Sequence, residues 1–243
     1  MLPLSDDNRG RRTQPIVTWA LILINIVIFA YQFMLSERDH WLFMMDWAVV
    51  PDRISSGEQL HTLVTSAFLH GSWFHLGSNM LFLWIFGDNV EDVLGHLRYL
   101  LFYLVTAVAA GLAQVLIDSG SQVPMVGASG AVSGLLAAYI VLFPHGRIRT
   151  LLTLGVFITV AMLPAWMMIG YWFLLQLISG VLSLGQSTTG GGVAFFAHIG
   201  GFVTGYFLVR PLIHKGRLVN QRASRTNSSE SHTWGMGSRR RRR

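Results

Sequence analysis

The chain has 243 residues, 52% hydrophobic and only 12% charged, with a mean hydropathy of +0.48. Soluble domains carry roughly 25% charged residues, so the composition excludes an ordinary soluble domain and points to the membrane. Without cysteine there is no disulfide and no thiolate metal site, and the net charge of +6 comes from seventeen Arg and one Lys gathered mainly at the two ends.

In chain order, residues 1–14 form a polar segment with Arg9, Arg11 and Arg12, read as cytoplasmic. The apolar run that follows is too long for the h-region of a cleavable signal peptide and reads as the first span. Six segments are long and apolar enough to cross a bilayer, each needing about 20 residues. They lie near 15–34, 73–93, 97–117, 127–143, 163–184 and 193–213. The expected fold is therefore all-α, a polytopic bundle of six helices over residues 15–213. The first loop, 35–72, is long and mixed and is expected to rest partly in the interface. The apolar stretch 150–162 either extends the fifth span or lies at the interface. Residues 185–192 read as a flexible uncharged loop, and residues 214–243 as a basic, disordered cytoplasmic tail ending in five consecutive Arg. Such a tail is a topology signal and a contact for anionic lipid head groups. Nucleic-acid binding is not expected, since no folded basic surface accompanies it.

Basic residues flank the N-terminus, the second-to-third and fourth-to-fifth connections, and the C-terminus, so both termini face the cytoplasm. Spans two, four and six then enter from outside. Ser129 lies at the start of span four, His198 near the start of span six, and His75 and Asn79 in the first turns of span two. At about 1.5 Å per residue, all four fall within about 10 Å of one depth. The segment Gly127-Ala-Ser-Gly130 opens span four, and small residues continue along it at Ala131, Gly134 and Ala138. Ala197, Gly201 and Gly205 repeat every four residues on span six. Small-residue stripes let two helices approach closely.

A serine hydroxyl becomes a nucleophile when a base removes its proton, and a neutral imidazole does this. Ser129 and His198 are the candidate catalytic pair. His75, Asn79 and the Ser129 backbone N–H are the candidate oxyanion donors. Asp88 lies about 13 Å deeper than Asn79, which favours a Ser–His dyad without a carboxylate. No cofactor is expected, and His70, His75 and His198 lack the spacing and the carboxylate of a zinc motif. His70 and His61 read as loop or interface residues. Asp88, Glu91 and Asp92 read as polar anchors at the cytoplasmic end.

These residues carry a resemblance. His75-Leu-Gly-Ser-Asn79 with Phe86-Gly-Asp-Asn-Val-Glu91, the GASG around Ser129, and Ala197-His-Ile-Gly-Gly with Gly205 resemble, in order and in span, the rhomboid intramembrane serine proteases. The resemblance implies a six-helix fold with a cavity open to the outside, Ser129 as nucleophile, His198 as base, and His75 and Asn79 in the oxyanion hole. It implies single-span membrane proteins as substrates, cut in or near the span with small residues favoured at the cleavage site. It also implies a first loop resting in the outer leaflet and a fifth span acting as a lateral gate. Two positions depart from the family pattern. Ser133 stands where many rhomboids have an aromatic ring supporting the catalytic His, and Gln59-Leu-His-Thr62 stands where a Trp-Arg pair is common. A rival reading is a catalytically silent rhomboid-like binder of transmembrane segments, which would be expected to lack Ser129 or His198. A transporter is weaker, since no inverted repeat is visible. The short chain suggests a bacterial plasma membrane.

Overall fold

The computed structural model describes residues 1–154, 157–183 and 194–222. Its main helices are α1 (Ile16–Met34), α2 (Glu37–Trp47), α3 (Pro51–Ser55), α4 (Thr62–Thr65), α5 (Trp73–Leu94), α6 (His96–Ile117), α7 (Ser129–Leu142), α8 (Ala165–Ser183) and α9 (Phe195–Leu212). A 3-10 turn, Ser66–Phe68, follows α4. A short helix α10 (Lys215–Arg222) follows α9 at a 104° bend.

Each of the six apolar segments is a helix. α1, α6 and α8 are individually long and apolar enough to cross a membrane, and α9 passes that test together with α10. α7 is a shorter apolar helix of 14 residues. α5 has the length but carries Asp88, Glu91 and Asp92 in its last two turns. The protein is an integral membrane helical bundle. Its core lies between α5, α6 and α7, where Leu83, Phe86, Tyr99, Phe102, Leu135 and Tyr139 are fully buried. α1 and α8 turn Leu23, Val27, Phe33, Leu174, Val181 and Leu182 outward. That is the pattern of helices whose outer faces meet lipid rather than water.

The stretch 150–162 neither extends the fifth span nor forms a helix. Strands β2 (Arg147–Leu154) and β3 (Phe157–Pro164) pair as an antiparallel hairpin, and β1 (Leu2–Ser5) adds a third strand to β2. The sequence alternates at this point: Ile148 and Thr150 are buried while Arg147 and Arg149 are exposed. A period of two with β-branched residues favours a half-buried strand over a helix.

Two glycine contacts hold α9 against α7. A Cβ placed on Gly201 would lie 2.0 Å from the Gly130 carbonyl oxygen, and one on Gly205 would lie 2.3 Å from that of Gly134. The α7 and α9 backbones therefore touch directly at these two levels. The contacting α7 residues are Gly130 and Gly134; Ala131 and Ala138 of the expected stripe are buried elsewhere in the bundle.

The end of α5 opposite the candidate site is tied to the N-terminal segment and to α10. The Glu91 carboxylate accepts from the backbone N–H groups of Val17 and Thr18 at 2.9 and 2.8 Å, and from Thr18 Oγ1 at 2.7 Å. It thereby satisfies N–H groups at the start of α1 that have no partner within their own helix, and places negative charge where the helix dipole favours it. Asp92 accepts from the backbone N–H of Arg12 and Thr13, and Asp88 is paired with Arg11. The N-terminal segment is thus a folded strap. The tail expected to be disordered from His214 likewise begins with ordered α10. Gln221 is buried and donates to Asp92 Oδ2 at 2.5 Å, and Arg222 donates to the Leu142 carbonyl at the end of α7. A cation at a helix C-terminus satisfies a carbonyl that has no helical partner. Residues 185–192 and the terminal Arg run lie outside the described residues.

The first loop folds as α2, α3, α4 and the turn. It is anchored without a Trp-Arg pair. Arg53 donates to the Met45 carbonyl at 2.8 Å and to Gln59 Oε1 at 3.0 Å. Val49 pairs with Met125 through two backbone hydrogen bonds, and Val49, Ile54 and Leu63 form a small second core with Val115 of α6.

Candidate active site

Ser129 is the first residue of α7. The segment before it is held by the Gly127 N–H, which donates to the Ser66 carbonyl at 2.9 Å, and Gly127 has a φ of +124°. That conformation is strained for any residue with a Cβ. A Cβ there would also lie 2.6 Å from Cε1 and Nε2 of His75 and 3.6 Å from Ser129 Oγ. The His75 ring and the Ser129 hydroxyl therefore border the same space beside Gly127. The backbone N–H of Ser129, at the first position of a helix, has no intrahelical partner and is available to a developing negative charge.

His198 lies in the first turn of α9, and the glycine contact between α7 and α9 brings it to Ser129. Its Nε2 is 2.7 Å from Ser129 Oγ. Its Nδ1 is 2.7 Å from Gln176 Oε1 on α8. With an acceptor at Nδ1, that nitrogen carries the proton and Nε2 presents its lone pair to the serine, the tautomer a general base requires. The ring also faces Trp172, with centroids 5.9 Å apart at an interplanar angle of 41°. Ser133 takes no part in this support. Its hydroxyl donates to the Ser129 carbonyl at 2.6 Å, the ordinary back-bond of a helical serine. Support for His198 comes from α8.

Asn79 is buried, and its side-chain nitrogen has no hydrogen-bond partner. An unused donor at such a position is costly, and it lies one turn along α5 from His75. Beside Ser129 is a cavity of about 40 Å³ bordered by Ser66, Gly127, Gly130, Ala194 and Ala197. The structure thus brings Ser129 and His198 into contact and sets His75 close by across Gly127.

His70 lies in the loop before α5, as expected, but it is fully buried rather than at the interface. Its backbone is clamped by Gln32, which accepts from the His70 N–H at 3.2 Å and donates to its carbonyl at 3.3 Å. Both ring nitrogens lack partners. Burial, and next the neighbouring His75, push the imidazole down to about 3. His61 sits at the loop surface, 3.3 Å from the Asp46 carbonyl and edge-on to Trp47. Asp88 and Asp92 are engaged by the N-terminal strap and Glu91 by the start of α1, and the group on the far side of the His198 ring is an amide.

Reasoning from the sequence missed Gln176 and Trp172. They are four apart on one face of α8. The signal was a single Gln inside an apolar helix, since a polar side chain in a span is costly unless it has a partner.

Residues 57–215 match the family model described as the rhomboid domain. The chain belongs to the rhomboid family. Rhomboid protein 1, mitochondrial, of Saccharomyces cerevisiae is 31% identical over 137 residues, covering 54% of this chain and 38% of that protein. Rhomboid-like protein 11, chloroplastic, of Arabidopsis thaliana is 41% identical over 101 residues, covering 40% of this chain and 36% of that protein. Rhomboid protease GluP of Bacillus subtilis is 30% identical over 150 residues, covering 62% of this chain and 25% of that protein. The chain thus spans well under half the length of these relatives. The matched rhomboid domain contains α4 to α9 and with them His75, Asn79, Ser129, Gln176 and His198; α1 and the N-terminal strap lie before it.

Proposed function

We propose that this rhomboid is a serine endopeptidase that cleaves single-span membrane proteins in or near their transmembrane segment, with Ser129 as nucleophile and His198 as general base. The observation that carries the reading is the 2.7 Å contact between Ser129 Oγ and His198 Nε2. Nε2 takes the hydroxyl proton as Oγ attacks the scissile carbonyl, and the resulting oxyanion accepts from the Ser129 N–H, the Asn79 amide and His75. The imidazolium then protonates the leaving amine. In the second half a water, deprotonated by the same imidazole, releases the acyl group from Ser129. The cavity beside Ser129, bordered by small residues, suits a substrate with a small side chain next to the cleaved bond. The printed name of the Bacillus subtilis relative, a rhomboid protease, supports the activity. The silent reading is disfavoured because both members of the pair are present and in contact.

The orientation with both termini cytoplasmic rests on the placement of Arg and Lys, and the Arg-rich terminus is proposed to contact anionic lipid head groups. The relatives' names span a mitochondrion, a chloroplast and a bacterium and favour no single membrane.

The test is cleavage of a single-span substrate co-reconstituted in liposomes. Ser129→Ala is expected to reduce cleavage to background. Asn79→Ala is expected to lower kcat by about 10²-fold with little change in KM, the usual loss for one oxyanion donor. Equal cleavage by the parent and Ser129→Ala would sink the protease reading.

A further inference from the structure

We infer that Gln176 of α8 is a positioning residue for the reaction: its side-chain oxygen fixes the tautomer and ring plane of His198, in the place a third catalytic residue or a stacked aromatic would otherwise occupy. The inference rests on the Ser129–His198 reading and deepens it.

Three observations converge. The first is geometric: the His198 ring is held at both nitrogens, by Ser129 at Nε2 and by Gln176 Oε1 at Nδ1, each at 2.7 Å. An imidazole held at one nitrogen alone can swing about its Cβ–Cγ bond and can adopt either tautomer; an acceptor at Nδ1 removes both freedoms. The second is the elimination of other supports. Ser133 is spent on the Ser129 carbonyl. Asp88 is paired with Arg11, and Glu91 is occupied by Val17 and Thr18. The third is cost. A Gln on a helix with exposed Leu174, Leu175, Leu177 and Ile178 around it is unfavourable in a bilayer unless its amide is used, and His198 is the partner it has. Trp172, one turn before Gln176, packs beside the same ring, its centroid 5.9 Å away.

Gln176 also makes a chemical choice. A carboxylate at this position would stabilise the imidazolium and raise the pH at which His198 becomes an effective base. A neutral amide orients the ring without adding that charge beside it. Charge and geometry can therefore be separated by substitution.

The experiment measures kcat, KM and the pH–rate profile of the liposome-reconstituted protein for the parent, Gln176→Leu and Gln176→Glu. Gln176→Leu keeps the size of the side chain but removes the acceptor. It is expected to lower kcat by about 10²-fold, the lower end of what a positioned general base supplies, with KM within about twofold. Gln176→Glu restores the acceptor. It is expected to recover most of kcat at high pH and to move the acidic limb of the profile to higher pH. A purely structural role would give equal losses in both variants with an unmoved acidic limb, and that result overturns the inference. So does a Gln176→Leu variant with the parent's kcat. If Ser129→Ala cleaves as fast as the parent, the catalytic reading itself has failed, which is a different outcome from an unimportant Gln176.

Discussion

His70 is a buried imidazole with nothing to bond. Its two ring nitrogens have no partner, and its neighbours are Phe29, edge-on at 6.5 Å, and the His75 ring at 5.1 Å. Protonation in that place is unfavourable, and the imidazole is pushed from the ordinary 6.5 down to about 3. The unfolded chain takes up this proton as pH falls below about 6.5, while the folded protein resists it until about 3. The unfolded state therefore binds more protons across this window. The stability that a neutral His70 contributes is fully present above pH 6.5 and is lost as pH falls from there toward 3, at up to roughly 1.4 kcal/mol per pH unit. His70→Leu is expected to fold at least as well at pH 7, since it removes two unpaired polar atoms, and to have the shallower loss of Tm between pH 6.5 and 4. Thermal unfolding of both proteins in one detergent across that range decides it; parallel curves would refute the account. At this scale the sequence was most informative where a polar residue stood out in apolar surroundings. Ser129, His198, His75 and Asn79 were legible for that reason. Gln176 had the same signature but no motif around it, and its partner is 22 positions away on another helix. The burial of His70 was hidden because a histidine just before a span looks the same in sequence whether it faces water or a neighbouring helix.

At the scale of elements, the glycine contact between α7 and α9 does what side chains usually do. It fixes the distance between two helices, and thereby the 2.7 Å contact between Ser129 and His198. Any side chain at Gly205 meets the Gly134 carbonyl, 2.3 Å from where its Cβ would sit. Backbone cannot rotate away, so α9 would have to shift outward. Gly205→Ala is expected to cost about 1–3 kcal/mol, the usual range for overpacking, and to lower kcat because His198 moves with its helix. Gly77→Ala is the control: nothing lies within 4 Å of its Cβ, so Tm should hold or rise. Equal Tm values for the two variants would show that the helices are not in backbone contact. Helix existence and the small-residue repeat were readable from the chain because both are local patterns. The hairpin was not. The stretch 150–162 is apolar almost throughout, and the alternation that marks the strand, Arg147-Ile-Arg-Thr150, lies at its very start, with a partner strand, β1, at the far end of the sequence. Pairing between residues about 150 positions apart leaves no trace in a local window.

At the scale of the molecule, the two ends of the bundle have opposite designs. The end bearing Ser129 leaves donors unspent, as with the Asn79 side-chain nitrogen. The other end spends nearly everything, joining the N-terminal strap, α5 and α10 through buried carboxylates. Glu91 is fully buried and serves Val17, Thr18 and, at 2.6 Å, His96 Nδ1. Removing that carboxylate leaves the start of α1 without acceptors inside the protein. Glu91→Leu is therefore expected to lose about 3 kcal/mol or more. It is expected to do so without touching the chemistry, because α5 runs the length of the bundle between Glu91 and Asn79. The measurement pairs Tm with kcat counted per molecule that reacts with a serine-directed fluorophosphonate. A large fall in Tm with kcat per reactive molecule within about twofold is the expected result. A fall in kcat among molecules that still fold and react would mean that the two ends are coupled, and that the strap at one face tunes the serine at the other.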